Sequence, residues 1–381
     1  MTHKPETYRY FLLTLDPVHI GTGDTRLGRV DLSIVREPGT RLPRIPGSSL
    51  HGAIRAYAAH RYGKPQCAGQ GKEHCGQPTC PICYTFGYAR DRASGHAGVV
   101  AIGDARILLF PVYSMVGPVW VTSPTALADA GLTQNGQPYS VAEDEARWPD
   151  GLTAHNHLNL GWLMVEREDA LPDISWPAEI SDEIKNRVVL VSDKLFAQIV
   201  NSNLEVRTSV SINPETGAAE EGALFTYEAI PRATMLWMDV VVSDYRDEFP
   251  DETRLQRWKE DLEGTDEQAK KDLLRKWGLL KKDGSLEESV QKAQEWLQAE
   301  QMDQNGENWR WQKPEMRDVQ QSPVGIVQAG LEWAEHLGVG GMGTRGFGRI
   351  RMLHCEAAPQ PQAAECEEKA SHAENVAETT S

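Results

Sequence analysis

Four cysteines fall between residues 67 and 83, spaced C-x7-C-x4-C-x2-C and closing on Cys80-Pro81-Ile82-Cys83. Thiolates at such spacing suit a tetrahedral Zn2+ with no open position, so the predicted role of Cys67, Cys75, Cys80 and Cys83 is structural. The Gly, Pro and Gln residues around them offer no core of their own, and His74 stands as an alternative ligand to Cys75. A second candidate is GVGGMGTRGFGRIRM, where Gly338, Gly340, Gly341, Gly343, Gly346 and Gly348 are interleaved with Arg345, Arg349 and Arg351. Glycines let backbone N–H groups approach a ligand, and arginines answer phosphate. The loop fits neither the P-loop nor the dinucleotide fingerprint, since no Lys-Ser/Thr follows. A third is the helix start at Pro46-Gly47-Ser48-Ser49, whose open N–H groups, with Arg55 further along, make a phosphate site. Upstream, His19 sits on a Gly-rich turn, and Asp31 lies among Arg26, Arg29 and Arg36. On its own, Asp31 reads as an ordinary strand-edge or turn aspartate.

These residues need elements to hold them. An apolar strand over Tyr10–Leu15 ends at Pro17, an extended piece carries Asp31, and a basic loop holds Arg36, Arg41 and Arg44. In the helix that follows, Ser48 or Ser49 is the expected cap, with Leu50, Ile54 and Tyr57 as the apolar stripe. Gly52-Ala53 would admit a second backbone. Residues 98–123 read as two central strands, with Asp104 and Arg106 pairing at the start. Residues 125–183, acidic and rich in Pro and Gly, read as an irregular surface insertion with one short strand, Gly161–Val165. His155 and His157 there share a face but read as exposed polar residues. A strand and a helix are expected over 184–203. Residues 205–230 form a long hairpin turning at Asn213-Pro214-Glu215-Thr216-Gly217, whose polar faces require it to project. Another strand spans 233–243. Residues 245–317 turn helical, with Trp258, Trp277 and Trp296 holding a small insertion together. Trp309 and Trp311, on an expected loop, stay open as base-stacking candidates. An amphipathic helix over 323–338 precedes the glycine loop, and the chain beyond Cys355 reads as disordered.

A chain of 381 residues can bury a large core, in one elaborated domain or two smaller ones. No apolar run approaches membrane-spanning length, and the first residues lack the apolar core of a signal peptide, so the expectation is a soluble cytoplasmic protein without membrane contact. The net charge of −16 argues at first against nucleic acid. Its distribution argues otherwise. Residues 1–110 carry 14 Lys and Arg against 8 Asp and Glu, whereas residues 129–183 carry 2 against 12. A basic face on an acidic protein still binds a polyanion locally.

Taken together, LTLDPVHIGTG, GRVDLSIVRE, IPGSSLHGAIR, IGDARILLFPV, WVTSP, INPETG and the glycine loop resemble the RAMP superfamily of CRISPR effector proteins. The details look closest to the repeated backbone subunit of the type III-B (Cmr) complex. The matching pieces spread over most of the chain apart from residues 125–183, 245–318 and the tail. The resemblance implies an α+β fold: a modified ferredoxin-like, RRM-related palm over residues 1–355, with insertions and a disordered tail at 356–381. The insertions are a cysteine-rich zinc loop (59–98), an acidic segment (125–183), a hairpin thumb (204–231) and a helical segment (245–318). It implies as partners a guide CRISPR RNA, a target RNA, copies of the chain in a filament and other Cmr subunits. The glycine loop and first helix would hold the guide through Arg36, Ser48, Ser49, His51, Arg55, Gly341, Gly343 and Arg345. The thumb would kink the guide–target duplex, and Asp31 would be required for cutting the target, with Mg2+ or another divalent cation. His19, Tyr227 and Glu228 fall in the family's motif region as accessory candidates. The chain departs from the family at Ala229, where an acidic or aromatic residue is frequent, and at His51, where a Lys is common. A non-catalytic guide-binding scaffold is the second reading, and a guide-processing nuclease the third.

Overall fold

A computed structural model gives the fold and describes residues 4–25, 30–69, 73–91, 94–280, 285–301 and 308–358. Arg26, Arg29 and the tail from residue 359 lie outside the described residues. Six elements form the centre: β1 (Glu6–Thr14), α1 (Gly47–Tyr62), β2 (Ala105–Ser114), β3 (Met235–Val242), α2 (Pro323–Leu337) and β4 (Ile350–Ala357). The strands pair antiparallel in the order β4-β1-β3-β2. Strand–helix–strand, twice, with each half's strands separated by one from the other half, is the ferredoxin-like arrangement. β4 runs on to Ala357, paired with Tyr8, so the ordered chain extends past the expected end at Cys355.

Helices α1 and α2 cover one sheet face. They approach closely because Gly330 has no side chain: a Cβ there would lie 2.3 Å from the Ile54 carbonyl oxygen. The expected close-approach residue, Gly52, is exposed with nothing within 4 Å of a notional Cβ. Sequence spacing marks both glycines alike; only the partner helix separates them.

Residues 125–183 depart further from expectation. They add strands Glu145–Trp148, His157–Leu160 and Leu163–Ala170 to the edge of the same sheet, through Val188–Val191 and Gly117–Thr122. Trp148, Leu158 and Leu160 are buried there. Leu127, Leu132, Tyr139, Ile174 and Ile180 cover the second face of the core against Phe11, Leu108 and Trp237. The segment is thus sheet extension and lid, with its acidic residues mostly on the connections and short helices between strands. Asp104 and Arg106 do not pair. Asp104 takes Arg44, while Arg106 reaches Glu37 and Asp129.

The hairpin runs out along Glu205–Ile212 and back along Ala219–Ala229. Its turn is set locally: Asn213 Oδ1 accepts the Glu215 amide at 2.8 Å, and Gly217 takes φ 67°. It joins a separate four-stranded sheet with Gly21–Thr25 and Leu32–Ile34. The helical segment holds helices Glu252–Glu263, Glu267–Lys276 and Leu286–Gln298, with Trp277 between Trp258 and Trp296. Trp309 and Trp311 are buried too, Trp311 at 2% exposure against the Tyr62 ring, so neither can stack on a base. No helix among the described residues is long and apolar enough to cross a membrane.

Candidate nucleic-acid interface and metal centre

Three segments far apart in sequence meet at the root of the hairpin. Val18 and Ile230 exchange backbone hydrogen bonds of 2.8 and 2.9 Å. Gly341 N–H donates to the His19 carbonyl at 3.0 Å, and Gly348 N–H to that of Pro17 at 2.9 Å. The contact needs glycine at 340, where φ is +90° and a Cβ would lie 2.6 Å from the His19 carbonyl oxygen. Tyr57 of α1 donates to the Gly338 carbonyl, so the first helix also grips the loop. Gly341, Gly343 and Arg345 stand exposed on this surface. The Arg345 guanidinium lies 5.9 Å from the Phe225 ring of the hairpin.

Asp31 is exposed, one residue before Leu32–Ile34. Its Oδ2 accepts the Thr226 backbone N–H at 2.7 Å and the Thr226 hydroxyl at 2.9 Å. The Asp31 N–H returns to Thr226 Oγ1 at 3.1 Å. The Thr226 amide, then its hydroxyl, hold the carboxyl below the usual carboxylate range. Asp31 is therefore an ionised group fixed to the hairpin's return strand.

The accessory candidates sit beside it but are committed to the structure. His19 is buried and its Nδ1 meets the Glu228 carbonyl at 2.6 Å, so Nδ1 is the donor and the tautomer follows. Tyr227 is buried edge-on to His19 and Phe347, its hydroxyl accepting from Ser209 at 3.1 Å. Glu228 is ion-paired with Arg36 at 2.8 Å. Arg36 also donates to Asn201 and to the Ile34 carbonyl. In this structure, then, Arg36 braces the fold, and Tyr227 and Glu228 each have a partner.

The first helix departs from the expected geometry at its cap and at Arg55. Pro46 is its cap residue, neither Ser48 nor Ser49 makes a capping bond, and Asp104 Oδ1 accepts the Gly47 N–H at 2.7 Å. The Asp104 carboxylate thus takes the first N–H of this helix end. Arg55 points inward, donating to the carbonyls of Cys67 (2.8 Å) and Gly87 (2.7 Å) and to His74 Nδ1 (2.6 Å). His51 lies half-buried, edge-on to Phe86, and burial pushes its pKa down. Sequence reading missed Arg207 and Arg232. Both lie near enough to Asp16 to lower its carboxyl, behind the larger effect of its ion pair with Arg349. Arg207 also lies over the Phe347 ring at 4.7 Å. Its place directly opposite Tyr227 in the hairpin register was the available signal.

Cys67, Cys75, Cys80 and Cys83 bring their sulfurs within 4.8 Å of one another. The Cys75–Cys83 and Cys67–Cys83 separations are 3.8 and 3.7 Å. A tetrahedron with metal–sulfur bonds of about 2.3 Å has edges of about 3.8 Å, so the four thiols fit a metal ion. His74 does not join them, because Arg55 and the Gly69 carbonyl occupy its two nitrogens.

Residues 11–351 match the model of the RAMP superfamily. The chain is 30% identical over 256 residues to the CRISPR system Cmr endoribonuclease Cmr4 of Pyrococcus furiosus, covering 62% of this chain and 82% of that one. A shorter match, 44% over 54 residues, is to the Cms endoribonuclease Csm3 of Mycobacterium tuberculosis, covering 14% and 23%. Among solved structures, a chain of the type III-B Cmr-beta complex bound to cognate target RNA aligns with TM-score 0.49 and 18% identity, over 64% of this chain and 85% of that one. The family match spans the core from its first strand to its last, so the chain belongs to the RAMP superfamily and is similar, within it, to the type III-B Cmr proteins.

Proposed function

We propose that this chain is a repeated backbone subunit of a type III CRISPR ribonucleoprotein, binding guide RNA and cutting complementary target RNA at regular intervals. The observation that carries the reading is Asp31: an exposed, ionised carboxylate clamped to the root of a projecting hairpin, on the same seam as an exposed Gly-Arg loop. In this reading the glycine loop and Arg345 hold the guide backbone, the hairpin splays the duplex, and Asp31 meets the distorted target nucleotide.

Cleavage by the ribose 2′-OH forms an O2′–P bond and breaks the P–O5′ bond, leaving a cyclic phosphate and a 5′-hydroxyl. The 2′-OH loses its proton and the leaving oxygen gains one. A carboxylate with a lowered pKa is a weak general base, so Asp31 suits charge and orientation better than proton abstraction. The acidic residues beside it form no preorganised cage, since the thiols are the one such cluster found among the described residues. Asp31 would therefore hold a divalent cation jointly with RNA phosphates, where the cation offsets developing negative charge. His19 supports the fold of the seam through Glu228. The four thiols hold a structural Zn2+.

The pairing of Glu228 with Arg36, and the burial of Tyr227 with its hydroxyl on Ser209, favour a second reading, a guide-binding scaffold without cleavage of its own. The assembled complex with guide, labelled complementary RNA and Mg2+ separates the two. Asp31→Ala should abolish regularly spaced cuts while leaving target binding intact; unchanged cutting would leave this chain as scaffold.

A further inference from the structure

A divalent ion held by four thiolates carries a formal charge of −2, and here it would sit among buried side chains. Two cations border the thiols. Arg55, 7% exposed, caps the Cys67 carbonyl. Lys64, 1% exposed, places Nζ 3.8 Å from Cys75 Sγ. Lys64 also pairs with Glu300, which is 0% exposed and lies just past the last helix of the helical segment. Among the described residues, the side-chain donors to the Glu300 carboxylate are Lys64 and the Thr79 hydroxyl at 3.3 Å, which flank the cysteines, and the Tyr62 hydroxyl at 3.0 Å from the end of α1. Thr79 directly precedes Cys80. Among the described residues of 65–69 and 73–83, regular structure is limited to two short helical turns, Pro65–Cys67 and the start of Pro81–Phe86, with a few local backbone bonds such as Cys80 N–H to the Gln77 carbonyl.

We infer that the thiol-bound metal is the lock that docks the helical segment onto the palm, acting through Arg55 and Lys64 as its counter-charges and through the Lys64–Glu300 pair. The metal fixes the loop that carries Lys64 and Thr79. That loop supplies the cation and one of the two hydroxyls that satisfy a buried carboxylate, Tyr62 of α1 supplying the other. Losing the metal dissolves the cradle, and the helices at 252–298 come away while the ferredoxin-like core persists. This rests on the thiols being a metal site and is independent of the RNA-cleavage reading.

The test uses the full-length chain. Zinc content is measured by mass spectrometry, and hydrogen exchange is followed before and after a strong chelator, with β1 peptides as internal reference. The expected result is one zinc per chain, and on chelation an acceleration of about tenfold or more in exchange over 252–298, reversed by adding Zn2+. Glu300→Gln should keep its zinc yet show faster exchange over 252–298. Lys64→Met should weaken zinc binding about 10–100-fold, as lost outer-shell partners do. A chain without bound metal overturns the thiol reading and the proposal with it. One zinc whose removal leaves exchange over 252–298 unchanged overturns the lock alone. Should either variant fail to fold, chelation of the unaltered chain still decides.

Discussion

Asp31 owes its lowered pKa chiefly to one neighbour. Thr226 offers it two donors, and replacing Thr226 by Val removes the hydroxyl while keeping the amide. The lowered pKa keeps the carboxylate charged further into acid than an ordinary aspartate. Any stability it lends is complete above the ordinary carboxylate pKa and disappears as pH falls through the lowered one. Thr226→Val should therefore move the acid limb of the cleavage profile upward, toward the ordinary aspartate value. A pH–rate series on the assembled complex checks this, and an unmoved limb would mean that another group titrates. Residue types announced Asp31, Arg345 and the four cysteines as chemically capable. They did not announce that Arg55 turns inward or that Arg36 and Glu228 pair, because those outcomes depend on partners up to 192 residues distant. A buried arginine and a free one look the same in sequence.

Elements were more legible than contacts. The apolar periodicity and turn residues marked β1, the hairpin with its Asn-Pro-Glu-Thr-Gly turn, and both core helices. The acidic stretch at 125–183 misled because its strands are short and the Pro and Gly between them dilute the alternation. The helix pair gives a direct comparison of two glycines that sequence alone makes equivalent. Gly330→Ala forces a methyl against the Ile54 carbonyl and should destabilise by about 1–3 kcal/mol. Gly52→Ala, on the open side of α1, should stabilise by about 0.5–1 kcal/mol. Urea midpoints of the two variants, measured side by side, should move in opposite directions.

Across the whole molecule, charge is sorted rather than averaged. A net −16 coexists with an arginine-bearing seam where Arg207, Arg232 and Arg345 are set around the hairpin root and glycine loop. If these meet RNA phosphates, Arg232→Gln and Arg345→Gln should each flatten the dependence of log affinity on log salt by about 0.7, the single-strand value, and Arg207→Gln by less, because Glu205 holds that guanidinium at 2.6 Å. Arg349→Gln should flatten it less, because Asp16 already holds that guanidinium at 2.5 Å. Binding titrations at several salt concentrations read both slopes, and equal effects would show that Asp16 releases Arg349 to the RNA.

The central position of β1 has a consequence for how the chain is made. Its two sheet neighbours are β3 and β4, which begin at Met235 and Ile350, so the first strand synthesised is among the last to be paired. At about 5–20 residues per second, β1 waits roughly 10–45 s for β3 to leave the ribosome, and longer for β4. During that interval both edges of β1, which carries the buried Tyr10, Phe11 and Leu12, lack their native sheet partners. The nascent chain is therefore a natural client for a ribosome-associated chaperone, and truncation before residue 350 leaves β1 with an open edge.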